Sequence, residues 1–158
     1  MIQGYLKKLA YSIAVMGTGG AKMKGAGTFA SLHALLIFAA VRFVSGASAP
    51  HWASFFIFYA IAWWATDVTL KQSNEKDPSW ITIDEWLAVM LLCFILRDFH
   101  WGMWMVAVAV FRIFDIYKFG LTRLSEKLPG AWGVLVDDVV AAAHVIVLFK
   151  IMPIWHFL

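Results

Sequence analysis

The chain has a single cysteine and few charged residues, and each shortage excludes a class of protein. Cys93 cannot form an intrachain disulfide, and it lies in an apolar run where a thiol behaves as a small buried hydrophobe. Asp, Glu, Lys and Arg make up 15% of the 158 residues, against about 25% in ordinary soluble domains. This composition excludes intrinsic disorder, a coiled coil and a strongly basic nucleic-acid-binding protein, so no nucleic-acid partner is expected.

The sequence also lacks a low-complexity linker and a convincing signal peptide. One domain over residues 1–158 is therefore expected, because a single domain usually has about 100–200 residues. Residues 2–16 combine regularly spaced apolar side chains with Lys7 and Lys8, a pattern typical of an amphipathic helix at a membrane surface. A loop rich in glycine and lysine completes this N-terminal segment, residues 1–27.

Hydrophobic residues, in contrast, make up 62% of the chain, compared with about 45–50% in soluble domains. Five apolar stretches follow the N-terminal segment, at residues 28–44, 52–66, 86–96, 101–114 and 139–158. Most are shorter than the roughly 20 residues that cross a bilayer as a helix, so they would need flanking residues. We predict an all-α integral membrane protein with about five short spans, and a soluble, deeply buried helical bundle is the alternative.

Charged residues divide unevenly when the five stretches are placed alternately across a membrane. The side that holds the N-terminus receives ten of the thirteen basic residues, a bias typical of the cytoplasmic side. It also receives nine of the ten carboxylates, although acidic residues have little influence on orientation. The sequence therefore predicts that a group of acidic residues lies at the cytoplasmic face of the membrane.

Three acidic clusters are predicted at this cytoplasmic face. Asp84 and Glu85 precede the third stretch, Asp115 ends the fourth, and Asp137 and Asp138 precede the last. If the clusters converge between helices, they would supply the hard oxygen ligands that Mg²⁺ prefers. Helix capping is the alternative for Asp84 and Asp137, since negative charge is favourable at a helix N-terminus.

Asp115 cannot be explained as a cap, because it lies at the C-terminal end of its stretch, where a carboxylate is unfavourable. A cation should therefore lie near it. Arg112 and Lys118 lie three residues on either side, which indicates either a ladder of ion pairs or a site for a metal and a phosphate.

The loop at residues 17–28 contains five glycines and two lysines. Such a loop can bring backbone N–H groups and ammonium groups close to a phosphate. The residue order of a Walker loop is missing. A flexible linker whose lysines face the membrane is the alternative.

Four short motifs occur in a specific order along most of the chain, from about Gly17 to Ala142. They are Thr-Phe-Ala-Ser-Leu at residues 28–32, Asp84-Glu85, Phe-Arg-Ile-Phe-Asp-Ile at residues 111–116 with Lys118, and Asp-Asp-Val-Val-Ala at residues 137–141. In this the chain resembles the phosphatidylglycerophosphatase A family. The resemblance implies a Mg²⁺-dependent lipid phosphatase of the bacterial inner membrane, which converts phosphatidylglycerophosphate to phosphatidylglycerol.

The acidic and basic residues can be given roles in such a reaction. Mg²⁺ would be held, directly or through water, by Asp84, Asp115, Asp137 and Asp138. Side chains that would bind the phospholipid substrate are Lys22, Lys24, Thr28, Arg112 and Lys118. The nucleophile would be a metal-activated water with Glu85 as base, or alternatively a carboxylate that forms an aspartyl phosphate.

Three loops depart from the family pattern. Ala26 stands where the family has the proline of Pro-Gly-Thr, residues 118–122 replace Lys-Pro-Trp-Pro-Ile, and residues 129–133 replace a Gly-Gly-x-Gly sequence. Losing prolines removes fixed φ angles, so the substrate could be a different phospholipid monoester. A non-enzymatic membrane carrier or assembly subunit that binds cations at its acidic residues is the alternative function.

Overall fold

The computed structural model describes residues 2–16, 23–45, 52–73, 75, 78–118, 120–125 and 127–152, and all the regular structure in these ranges is helical. The helices are α1 (Ile2–Ala14), α2 (Ala26–Ser45), α3 (Trp52–Ser73), α4 (Ile83–Ile95), α5 (Trp101–Tyr117), α6 (Leu121–Ser125) and α7 (Ala131–Ile151). Each predicted apolar stretch contributes to one helix, so the all-α prediction is confirmed. The short helix α6 was not predicted.

Helix α4 lies at the centre of the bundle, because it packs against α2, α3, α5 and α7. Its side chains Leu87, Val89 and Leu92 are at most 1% exposed. Burying each such side chain contributes about 1.5–3 kcal/mol to folding. The central position of α4 brings its first turn close to three other helices.

The start of α4 is held against the end of α1. The backbone N–H of Thr82 donates to the carbonyl of Ala14 at 2.9 Å, and the Thr82 hydroxyl donates to the carbonyl of Met16 at 3.4 Å. These bonds place the following residues, Asp84 and Glu85, in the first turn of α4. The acidic pair therefore has a defined position in the bundle.

Two helices, α2 and α3, are long and apolar enough to cross a membrane, over Ala26–Val44 and Trp52–Ser73. Helices α4 and α5 have 13 and 17 residues, fewer than the roughly 20 that a span requires. Helix α7 has 21 residues but carries two buried carboxylates. Within the described residues, the prediction of about five spans is therefore corrected to two candidate spans.

Both candidate spans keep large apolar side chains at the surface. Phe43 and Val44 on α2 are 91% and 85% exposed, and Phe56 and Ile57 on α3 are 64% and 60% exposed. Helix α1 confirms the predicted N-terminal helix and packs against α3. Exposed apolar surface of this kind marks a contact with a membrane or with another protein.

Candidate active site

A cavity of about 450 Å³, here called the acidic cavity, opens at the end of the bundle where α2 and α4 begin and α5 ends. The charged side chains that line it come from α4, α5, α7 and the residues beside them. They are Lys24, Asp84, Glu85, Arg112, Asp115, Lys118, Asp137 and Asp138. The structure thus brings together the three acidic clusters that the sequence places at one level.

Asp84 and Glu85 lie in the first turn of α4, and the backbone N–H of Glu85 donates to Asp84 Oδ1 at 3.0 Å. Burial raises the pKa of Asp84 well above its usual value, and the negative charge of Glu85 adds to this rise. Burial also raises the pKa of Glu85, although a hydrogen bond with Asp84 and the charge of Arg112 oppose the rise. Both carboxylates are thus held close together away from water.

Asp137 and Asp138 lie in the second turn of α7, because this helix begins at Ala131. The capping alternative for Asp137 is therefore wrong. The two side chains are 5% and 3% exposed. Burial raises the pKa of Asp138 well above its usual value, and the charges of Asp84, Asp115 and Glu85 raise it further.

Asp84, Glu85 and Asp138 form the acidic cluster, in which one oxygen of each carboxylate lies within 4.8 Å of the others. Glu85 Oε2 and Asp138 Oδ2 are buried without a hydrogen-bond partner among the described residues. Unpaired buried carboxylates are costly unless a cation compensates them. Hard oxygen donors suit Mg²⁺, so these three residues fit a magnesium ion.

Arg112 joins this cluster to α5. Its Nη1 donates to Asp115 Oδ2 at 2.5 Å and lies 3.4 Å from Glu85 Oε1. The cation that the sequence predicts near Asp115 is therefore present, and it is Arg112. A guanidinium between two carboxylates is held in one orientation.

Lys118 pairs with α7, since its Nζ lies 2.9 Å from Asp137 Oδ2. Its backbone has the left-handed φ of 48°, at the residue that caps the C-terminus of α5. Two of the four predicted magnesium ligands, Asp115 and Asp137, are thus engaged by cationic side chains. Glu85, which the sequence indicates as the base, lies in the acidic cluster.

The predicted substrate-binding residues of the N-terminal loop are only partly brought to the cavity. Lys24 lines the acidic cavity, just before Gly25, whose φ of 79° turns the chain into α2. Thr28 lines a neighbouring, apolar cavity. Lys22 lies outside the described residues.

Gly27 is a site residue that the sequence analysis did not select. A Cβ atom at this position would overlap the carboxylate of Glu85 and lie 2.9 Å from Arg112 Nη2. A larger residue at this position would therefore force the carboxylate of Glu85 and the guanidinium of Arg112 to move. The sequence contains no specific signal for it, because Gly27 is one of five glycines in the predicted loop at residues 17–28.

Comparisons with known proteins identify the family of this chain. The sequence model of the family described as Phosphatidylglycerophosphatase A matches residues 12–153. A Bacteroides thetaiotaomicron protein named "Putative phosphatidylinositol-3-phosphatase" is 30% identical over 154 residues, which cover 92% of this chain and 96% of that protein. A Haemophilus influenzae protein named "Phosphatidylglycerophosphatase A" is 30% identical over 88 residues, which cover 55% of this chain and 54% of that protein. No solved structure gives a significant match.

The family match includes every charged residue that lines the acidic cavity, from Lys24 to Asp138. Phosphate ester hydrolysis requires cationic groups that bind a phosphate, and the cavity combines such groups with a buried acidic cluster. The alternative of a non-enzymatic carrier is not supported by this match. The chain belongs to the phosphatidylglycerophosphatase A family and is a phosphoric monoester hydrolase, a lipid phosphatase.

Proposed function

We propose that the chain is a Mg²⁺-dependent phosphatase that hydrolyses the terminal phosphate of phosphatidylglycerophosphate and leaves phosphatidylglycerol. The observation that carries this proposal is the acidic cluster of Asp84, Glu85 and Asp138 beside Arg112 in one cavity. Family membership supports the class of reaction. The buried Asp138 Oδ2, which has no hydrogen-bond partner among the described residues, supports the cation.

Asp84 and Asp138 would hold the cation, and Glu85 lies beside them in the acidic cluster. When bound, a divalent cation offsets the negative charge of the phosphate and stabilises the charge that develops as the ester bond breaks. Glu85 Oε2 is also the proposed proton acceptor for the attacking water, because it is buried and has no partner among the described residues. These roles explain why three carboxylates share a site that is costly in the absence of a ligand.

Arg112 is the proposed phosphate ligand. Its ion pair with Asp115 orients the guanidinium before substrate arrives, and its Nε is buried without a hydrogen-bond partner among the described residues. A guanidinium matches phosphate oxygens with two parallel hydrogen bonds. Lys24 and Lys118 add positive charge at the same cavity.

The proposed location is the bacterial inner membrane, with the acidic cavity on the cytoplasmic face. Helices α2 and α3 would anchor the chain, and α1 would lie at the surface with Ile2 and Tyr5, which are 77% and 71% exposed, toward lipid. With two candidate spans, the chain before α2 and the chain after α3 lie on the same side, and the sequence between the spans, residues 46–51, contains no Lys or Arg, which supports the orientation. A lipid headgroup could then reach the cavity while its acyl chains stay in the bilayer.

The headgroup preference of the protein is tested by measuring phosphate release in mixed micelles that contain Mg²⁺. Phosphatidylglycerophosphate, phosphatidylinositol 3-phosphate and phosphatidic acid are compared at equal surface concentration, each with and without a chelator. We expect kcat/KM to be highest for phosphatidylglycerophosphate, by about tenfold or more, and phosphate release to stop with the chelator. Faster release from phosphatidylinositol 3-phosphate would reassign the headgroup, and no release from any of the three would contradict the proposal.

A further inference from the structure

A second cavity, of about 370 Å³, adjoins the acidic cavity, and Arg112 lines both. This second cavity is a groove between α2 and α5, which pack against each other. Helix α2 lines it with Thr28, Ser31, Leu32 and Leu35. These positions follow the i, i+3, i+4, i+7 spacing of a single helix face.

Helix α5 lines the opposite wall with the same spacing, at Met105, Val108, Ala109 and Arg112. Thr28 begins the stripe on α2 near the acidic cavity, and Arg112 ends the stripe on α5 at that cavity. Seven residues of helix rise by about 10 Å. The groove therefore extends roughly 10 Å away from the acidic cavity, between two antiparallel stripes.

The groove is apolar along its floor and open along its rim. Leu35 and Val108 are 8% and 4% exposed, whereas Leu32 and Met105 on the rim are 48% and 47% exposed. The hydroxyl of buried Ser31 donates to the carbonyl of Gly27 at 2.9 Å, so it is satisfied within α2. Polar groups are thus confined to the end that meets the acidic cavity, where Thr28 and Arg112 lie.

We propose that this groove holds an acyl chain of the phospholipid whose phosphate occupies the acidic cavity. The inference rests on the proposed function. Arg112 would bind the phosphate at one end of the groove, and the apolar stripes would contact the chain beyond it. One side of the open rim, at Leu32, lies on α2, a candidate membrane span, so a chain could enter from the bilayer. The groove would favour lipid phosphates over water-soluble phosphate monoesters.

Ala109→Trp tests the inference, because Ala109 is an exposed residue of the groove wall, where a large side chain fills the groove without entering the core. Ala40→Trp is the matched control, since Ala40 is exposed on α2 outside the groove. Phosphate release is measured from dioleoyl phosphatidylglycerophosphate and from its deacylated headgroup. We expect the kcat/KM for the lipid, divided by the kcat/KM for the deacylated headgroup, to fall about tenfold or more in Ala109→Trp. The same ratio should stay unchanged in Ala40→Trp.

Photo-cross-linking provides a readout that does not depend on turnover. A phosphatidic acid with a diazirine in one acyl chain is expected to label peptides 28–35 and 105–112, and Ala109→Trp is expected to reduce this labelling. The same chain on phosphatidylcholine, which lacks a phosphate monoester, should label these peptides less. Equal labelling by the two lipids, or an unchanged kcat/KM ratio in an active Ala109→Trp variant, would overturn the inference. Inactivity of the wild type on both substrates would instead contradict the proposed function.

Discussion

Asp138→Asn is expected to lower kcat/KM for lipid phosphate release by about 100-fold or more. Asp138 is 3% exposed and contributes one of the three clustered carboxylates, so this substitution removes the charge of a proposed cation ligand without a change in shape. Mg²⁺ affinity, measured by calorimetry, is expected to fall as well. The fold should survive, because asparagine occupies the same volume.

Thermal unfolding separates this loss from misfolding. The pKa of Asp138 is raised in the folded chain, so its ionised form destabilises the cation-free fold at neutral pH. A neutral asparagine removes this repulsion, and the cation-free variant should melt at or above the temperature of the wild type. Asp98→Asn is the matched control, since the Asp98 side chain is 80% exposed beside Arg97 and does not line the acidic cavity. An Asp138→Asn variant with the activity of the control would contradict the role of the cluster.

Gly27→Ala is expected to lower kcat/KM by about 100-fold, since a displacement of about 1 Å in a catalytic group can cost that much. The added Cβ would overlap the Glu85 carboxylate and crowd Arg112 Nη2 at 2.9 Å. Alanine is about 1 kcal/mol more favourable than glycine within a helix, so the helix itself should persist. The effect should appear in activity and in Mg²⁺ affinity rather than in helix content by circular dichroism.

Gly4→Ala provides the control for this substitution, because an added Cβ there meets no atom within 4 Å. It should leave phosphate release unchanged. Wild-type activity in Gly27→Ala would show that the close approach of α2 to Glu85 and Arg112 is not needed for the reaction.

The sequence predicted the helices and the convergence of the acidic clusters, because both follow from local rules. The position of Asp115 at a helix C-terminus predicted a cation close by, and Arg112 lies 2.5 Å away. Hydrophobic composition predicted the helices but overestimated the number of membrane spans. Helix α4 ends after 13 residues, so the number of candidate spans was smaller than predicted.

The division of the acidic residues between roles could not be predicted from the sequence. Asp137 pairs with Lys118 across two helices, and this contact depends on how α7 packs beside the end of α5. The start of α7 was placed at residue 139 because the apolar stretch begins there, whereas the helix begins at Ala131 after Gly130, whose φ is 57°. The position of Thr28 and the groove between α2 and α5 could also be found only from the packed helices. The residue spacing on either helix alone does not differ from that of an ordinary helix surface.

The position of a bound divalent cation tests the central claim most directly. Mn²⁺ accepts the same oxygen ligands as Mg²⁺ and gives an anomalous X-ray signal, so crystals grown with Mn²⁺ would reveal its site. We expect an anomalous peak between the carboxylates of Asp84, Glu85 and Asp138, beside Arg112. A fully occupied peak elsewhere in the protein, with none at this cluster, would contradict it.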